Sequence, residues 1–498
     1  MSRWNLAWLV GISAAAILGI SLTFSAPTQQ GNLQKRQQNL KLLVEVLDEI
    51  EKKYVKELDQ KKMRELVENM IQGGLEKLDP HSGFINADEL KQFQQRTRGK
   101  FGGVGIRLGV DPRSGRFMVE SPLPGTPAYN AGVMAGDFIL KIDGKAIDDW
   151  TLQKVVEHIQ GDPNTDVTLT VLHEGAKEPV DLKMTRAEIR IESVMGDTRD
   201  KINLEEWNFW VDRESKIAYV RVTEFTGTTV QELTRIVDGL QKAGLNGLIV
   251  DLRTNPGGLL EAAVDAASLF LQEGKTVVTT KGRGGVVEKE YKAKIKSNMK
   301  PGTYYPITVL INRNSASASE ILAAALQDHA RAVVIGERTY GKGSVQVLIE
   351  MEEGTTALKL TTASYWRPSG RNIHRFPDSK EEDDWGVKPS KGFEIKLTDA
   401  ERIEYFKWRR ERDILRRPGQ APKKADPDGK DKKEFRDRVM DKAIEHLRAE
   451  IAKGGQRDAR APDNPTVRPN PAAEVAPQAP PRRSVIADAT KSHRDIVR

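Results

Sequence analysis

The sequence has no cysteine among its 498 residues. A disulfide framework, a thiolate zinc site and a cysteine nucleophile are thereby excluded together, and the fold is indifferent to the redox state of its surroundings. It also lacks a decisive charge: 78 Lys and Arg stand against 71 Asp and Glu, mixed along the chain, for a net +7. That imbalance is too small and too evenly spread to argue for a nucleic-acid partner. Histidine is sparse, with 7 residues, and no internal repeat is present. Long apolar runs are missing too, with one exception. Residues 4–24, WNLAWLVGISAAAILGISLTF, carry no charge and follow Arg3. That length just crosses a hydrocarbon core as a helix, and it also suits a secretory signal. Cleavage after Ala26 would place bulky Phe24 where a small residue is wanted and Pro27 just past the cut, which favours an uncleaved single-pass anchor in the cell membrane. Either way Arg3 stays cytoplasmic and the remainder is exported, to an extracytoplasmic (periplasmic) space.

What is present falls into stretches of distinct texture. After the 1–30 segment, residues 31–95 read as helical: Leu40, Leu43, Val44, Leu47 and Ile50 make one apolar stripe, and a second helix around Met63–Leu78 ends in LDPHSGF. Residues 96–186 are a compact module of short antiparallel strands with one amphipathic helix, TLQKVVEHIQG. Residues 187–400 alternate strand and helix patterns, with GLIVDLR as a continuous apolar strand, which argues for an α/β core. Residues 401–455 read as a charged helical extension with a Pro/Gly-rich break near 418–429, and 456–498 as a disordered Pro/Ala-rich tail.

Three stretches carry candidate chemistry. In GERTYGKGSVQ, residues 336–346, Lys342 nearly completes a phosphate-binding loop, but Gly343 stands where a hydroxyl should hold magnesium, and SVQVLIEM reads as a strand where the motif needs a helix. A lysine in a glycine-rich surface turn is the plainer alternative. In NSASASEILAAALQD, Ser317 and Glu320 fit a capping box. The same serine suits a nucleophile, since a helix N-terminus offers unpaired N–H groups and partial positive charge to an oxyanion, and small Ala316 and Ala318 admit a polypeptide. In DLRTNPGG, residues 251–258, the glycines fit a tight turn or a further oxyanion donor. A serine nucleophile needs a base. His329 is the nearest histidine, but a helix from Ser317 to His329 rises roughly 18 Å. A neutral lysine serves instead. Bringing a lysine from its ordinary ~10.4 to near 7–8 costs roughly 4 kcal/mol, which burial among apolar walls supplies.

The run NSASASEILAAALQDHARAVVIGERTYGKGSVQ resembles the signature of the carboxyl-terminal processing peptidases, or tail-specific proteases, which are serine peptidases with a Ser–Lys pair and an embedded PDZ domain. The match extends to LDPHSGF, FGGVGI, AGVMAGDFILKIDG, LIVDLRTNPGG and TTASYWRPSGRNI, over roughly residues 40–395. The resemblance implies an α/β peptidase core with an inserted PDZ domain. It implies that Ser317 is the nucleophile and that Lys342, 25 residues on (342 − 317), is the general base. It further implies that Gln346 orients the lysine. On a strand, residues 342 and 346 would share one face. Asp328 matches an acidic position of the family, for which a structural role at the helix end is expected. The oxyanion hole would be the backbone N–H groups of Ala318 and one of Gly257 and Gly258. The loop Gly102-Gly103-Val104-Gly105 would hold a substrate's terminal carboxylate.

These readings set the expectations: a membrane-anchored, exported serine endopeptidase acting near the C-termini of proteins, with polypeptide substrates, no cofactor, no metal, no nucleic acid, and self-association open. The acidic insertion before Gly386-Val387-Lys388-Pro389 and the basic C-terminal extension depart from the family's common core. The rival from another class is a non-catalytic PDZ adaptor with a degenerate peptidase domain, and a nucleotide-dependent enzyme is a distant third.

Overall fold

The computed structural model describes residues 27–200, 202–294, 305–416 and 435–454. The expected membrane segment, residues 4–24, and the expected disordered tail lie outside the described residues. Among those described, no helix is long and apolar enough to cross a membrane. The chain divides into two compact units, one of residues up to 92 together with 346–361, the other of 93–345 and 362 onward.

The first unit holds the helices Pro27–Lys53 and Gln60–Glu76, the second begun by Asp59, whose side chain accepts from Lys62 N–H at 2.8 Å. The apolar stripe expected in the first helix is there in sequence, but Leu40, Leu43 and Val44 are exposed. The LDPHSGF turn is a hydrogen-bonded knot. Asp79 accepts from the N–H groups of His81 and Ser82 and from the Ser82 hydroxyl, as Asp does in turns. The strand Gly83–Ile85 that follows pairs antiparallel with Ala357–Lys359.

In the second unit, residues 106–185 form an antiparallel sheet in the order Ile106–Val110, Phe117–Pro122, Phe138–Ile142, Asp166–Leu172 and Val180–Thr185. The helix Leu152–Ile159 buries Val155 and Ile159 against Val119, Ile139, Val167 and Leu169. Beside it, Lys100–Gly103 pairs antiparallel with Ala187–Arg190.

The α/β core is built on four adjacent parallel strands, Ile217–Val222, Gly247–Asp251, Ile307–Ile311 and Ala332–Gly336. Their apolar runs are continuous because both faces are covered. The helices Thr229–Lys242, Leu260–Ser268 and Ala318–Asp328 bury Val220, Val250, Val309 and Val334 on one side. The other side is closed by Arg438–Ala452, which seats Val439, Met440, Ala443 and Leu447 on Tyr219, Ile249, Leu310 and Ile335. The last described helix of the charged extension is therefore a layer of this core. Ligands of open parallel sheets collect at the carboxyl ends of the strands, and the three candidate stretches all leave from there: 252–258 after Asp251, 312–317 after Ile311, and 337–343 after Gly336.

Candidate active site

The stretch Ser315-Ala316-Ser317-Ala318-Ser319 sorts its own serines. Ser315 is fully buried and its hydroxyl donates to Leu252 O at 2.7 Å. Ser319 is fully buried and donates to Asn255 O at 2.9 Å. Both tie the helix start to the 252–258 loop. Ser317 between them is half-buried. Its backbone sits at φ 55°, ψ −115°, a region that a residue with a Cβ enters only at a cost of about 1–3 kcal/mol. The expected capping box is there, with Glu320 Oε2 accepting from Ser317 N–H at 2.8 Å.

Glu320 does more than close a cap. It is fully buried. Its Oε2 also accepts from Lys342 N–H at 2.8 Å, while Oε1 accepts from Gly341 N–H at 2.7 Å and from the Thr339 hydroxyl at 2.6 Å. The backbone nitrogens of Ser317 and Lys342 each lie 2.8 Å from one oxygen, so they stand no more than twice that, 5.6 Å, apart. Burial pushes the Glu320 carboxyl up to about 7, against the pull of these hydrogen bonds. Lys342 itself is half-buried in its loop. The loop is fixed further by Tyr340 N–H donating to Ser315 O at 3.0 Å and by Arg375 N–H donating to Gly341 O at 2.8 Å.

The 252–258 loop completes the arrangement. Gly257, at φ 106°, comes so close to the serine turn that a Cβ on it would lie 2.8 Å from the Ser317 Cβ and 3.0 Å from Ala318 N. No other residue fits there. Its N–H, however, donates to Asn255 Oδ1 at 2.9 Å, an Asx turn that the sequence did not reveal. Of the two glycines proposed as oxyanion donors, Gly257 is thus already engaged. No hydrogen bond from Gly258 N–H or Ala318 N–H is found among the described residues, which leaves that pair as the candidate hole.

Other expectations are redistributed. The strand after the lysine runs Ser344–Met351, so Lys342 precedes it in the loop and the shared-face spacing of 342 and 346 does not apply. Gln346 is on that strand, in the first unit. Its Nε2 donates to the Thr361 hydroxyl at 3.2 Å, which donates to Asp79 Oδ1 at 3.0 Å, so the LDPHSGF turn is its support. Because a strand follows Lys342, the phosphate-loop reading loses the helix it needs. His329 caps the far end of the Ala318–Asp328 helix with Nε2 at 2.7 Å from Thr276 O. Asp328, at that same end, is gripped by Arg367 at 2.6 and 3.0 Å. In the PDZ-like loop, Gly102 and Gly103 are paired in a ladder with Glu188 and Ala187, Val104 is fully buried, and Gly105 O accepts from Leu123 N–H at 2.9 Å. Among the described residues no group of three or more His, Cys, Asp or Glu could hold a metal. Glu320, Asn255 and Thr339 were missed as site residues; only the S-x-x-E pattern pointed to the first.

Residues 216–384 match Peptidase family S41 and residues 118–172 match the PDZ domain, a match that starts beyond the 102–105 loop. A carboxy-terminal-processing protease of Bartonella bacilliformis is 37% identical over 408 residues, covering 80% of this chain and 88% of that protein. The carboxy-terminal processing protease CtpA of Bacillus subtilis is 32% identical over 360 residues, covering 72% of this chain and 69% of that one. A solved photosystem II D1 C-terminal processing protease is 28% identical with a TM-score of 0.38, over 70% of this chain and 86% of its own.

Proposed function

This chain belongs to the carboxy-terminal-processing proteases of peptidase family S41, and we propose that Ser317 is its nucleophile, Lys342 its general base, and exported polypeptides cut near their C-termini its substrates. The observation that carries the pairing is the single oxygen, Glu320 Oε2, that accepts from the backbone N–H of both Ser317 and Lys342. It draws the serine turn and the lysine loop together at the carboxyl ends of two adjacent strands.

Neutral Lys342 takes the Ser317 proton as Oγ attacks the scissile carbonyl. The oxyanion that forms is met by N–H groups at the start of the Ala318–Asp328 helix and in the 252–258 loop, with Ala318 and Gly258 as donors. The C–N bond breaks, the proton on Lys342 passes to the leaving amine, and water then hydrolyses the acyl-enzyme with Lys342 again as base. Gln346, to which the family resemblance gives the task of orienting the lysine, is itself held by Thr361 and Asp79. The PDZ domain holds the substrate tail as an added strand. The uncharged segment 4–24, preceded by Arg3, supports a membrane anchor with the catalytic part outside the cytoplasm.

The test is cleavage of a denatured protein with a free C-terminus by the purified full-length chain and by Ser317→Ala and Lys342→Ala. Both variants are expected to lose activity while keeping their fold. Normal cleavage by Ser317→Ala overturns the assignment. Cleavage by Lys342→Ala near the wild-type rate moves the base elsewhere. A substrate whose terminal carboxylate is amidated is expected to be cut more slowly.

A further inference from the structure

A cavity of about 210 Å³ lies where three parts of the second unit meet. Arg107 and Glu120 reach it from the first two strands of the PDZ sheet, Arg221 from the end of a central core strand, and Arg409, Arg410 and Asp413 from the helix Asp399–Asp413. Four guanidinium groups thus line it against two carboxylates. The carboxylates are already committed. Glu120 takes Arg410 at 2.5 Å. Asp413 takes Arg221 at 2.7 Å and Arg409 at 3.1 Å. The Arg107 guanidinium makes no hydrogen bond or ion pair among the described residues, its backbone being paired with Ser121, and burial pulls it below the usual range, offset in part by Asp413 and Glu192. Arg221 is 8% exposed, and its Nε is buried without a partner.

An unmatched guanidinium in a cavity is unfavourable unless an anion joins it. The planar fork of arginine matches a carboxylate or phosphate through two parallel bonds. At about 30 Å³ per water in the liquid, the volume holds a small oxyanion with its waters. Ile106 and Leu108 pack against the PDZ core, whereas Arg107 between them, where the ladder register shifts, lines the cavity. The cavity also touches the catalytic loops: Thr254 lines it at φ 61°, in the same loop as Gly257 and Gly258.

We propose that this cavity binds a small oxyanion, carboxylate or phosphate, on Arg107 and Arg221, and that the bound anion pins the PDZ domain to the peptidase core beside the Thr254 loop. The proposal does not rest on the roles given to Ser317 and Lys342. Two sources supply such an anion: a carboxylate of the polypeptide, or free inorganic phosphate.

The experiment titrates the full-length protein with phosphate against chloride at constant ionic strength, by thermal unfolding and by calorimetry. Wild type is expected to bind one phosphate and to gain about 3 °C at ten times the Kd. Arg107→Gln is expected to lose that gain, and Arg107→Lys to keep part of it. Absence of phosphate binding to wild type overturns the proposal, as does an undiminished gain in Arg107→Gln. If Arg107→Gln fails to fold in chloride, the Lys variant decides, since a gain equal to wild type there removes the need for the guanidinium fork. A short peptide with a free C-terminus that displaces phosphate where its amide does not assigns the site to the polypeptide carboxylate. Phosphate binding without displacement assigns it to the inorganic anion.

Discussion

Glu320→Gln changes one atom of the carboxylate that joins the Ser317 turn to the Lys342 loop. The amide nitrogen has to stand either at Oε2, facing the N–H groups of Ser317 and Lys342, or at Oε1, facing Gly341 N–H and the Thr339 hydroxyl. The first choice orphans two buried donors. The second orphans the Gly341 N–H and takes the acceptor from the Thr339 O–H, whose oxygen already accepts from Val387 N–H, but that oxygen can still accept from the amide. The second, which alone gives the amide a partner, is therefore expected, at about 1–3 kcal/mol for each donor left without an acceptor. Glu320→Ala removes every acceptor, orphans three N–H groups and costs roughly three times as much, enough to undo the loop. Small displacements of reacting groups lower rates by about 10²-fold per ångström, so kcat should fall about 10-fold or more in the Gln variant and vanish in the Ala variant.

The carboxyl's raised value adds a pH signature. The unfolded chain releases this proton near 4.5 and the folded chain near 7. Protonated Glu320 therefore favours the fold in full below pH 4.5, and that contribution is lost as pH rises through 7. Between pH 5 and 7.5 the wild-type advantage over Glu320→Gln in urea unfolding should shrink by about 2 kcal/mol. A proton on Oε1, donated to Thr339, leaves Oε2 free to hold Ser317 and Lys342, so the protonated state keeps the tie. Full activity in Glu320→Gln refutes the tie, and an advantage that does not shrink refutes the proton.

Gly257→Ala places a Cβ 2.8 Å from that of Ser317 in a backbone region closed to alanine; activity should fall at least ~10²-fold, read by steady-state cleavage. Arg367→Ala breaks a buried pair with Asp328 and should cost about 3–5 kcal/mol in denaturant unfolding, without changing the pH–rate profile. Thr361→Val removes the hydroxyl between Gln346 and Asp79; with a structural cost of about 1 kcal/mol, it should lower kcat more than it raises KM. Ser317→Ala and Lys342→Ala should each abolish cleavage to within ~10³–10⁴-fold of the uncatalysed rate.

Periodicity and composition revealed the alternating core and its apolar strands, because a sheet covered on both faces leaves continuous runs such as GLIVD. The stretch Arg438–Ala452 read as helical, but its charges hid its place in the core, although Val439, Ala443 and Leu447 recur every four residues and form the face that closes the sheet. The candidate serine was legible as a helix start, and the glycines as a tight turn. Which N–H each donor gives was not, because Asn255 captures Gly257 through a local turn whose geometry many Asn-Pro-Gly sequences share. The reach of Glu320 was illegible for a different reason. Its donors come from residues 317, 339, 341 and 342, and only the first is near it in sequence.

That non-local reach also explains how the serine keeps its unfavourable backbone. A capping serine alone would relax to the ordinary extended φ. Here the turn is held at both flanks by buried hydroxyls, Ser315 on Leu252 O and Ser319 on Asn255 O, and from below by Glu320 on Ser317 N–H. Three bonds at about 1 kcal/mol each, one of them to a group that carries charge above pH 7, match a strain of about 1–3 kcal/mol. The two flanking serines and the glutamate are therefore what the middle serine requires in order to hold that backbone, half-buried, at a helix N-terminus. Removing either flanking hydroxyl should relax φ at Ser317 and lower activity without touching any reacting atom.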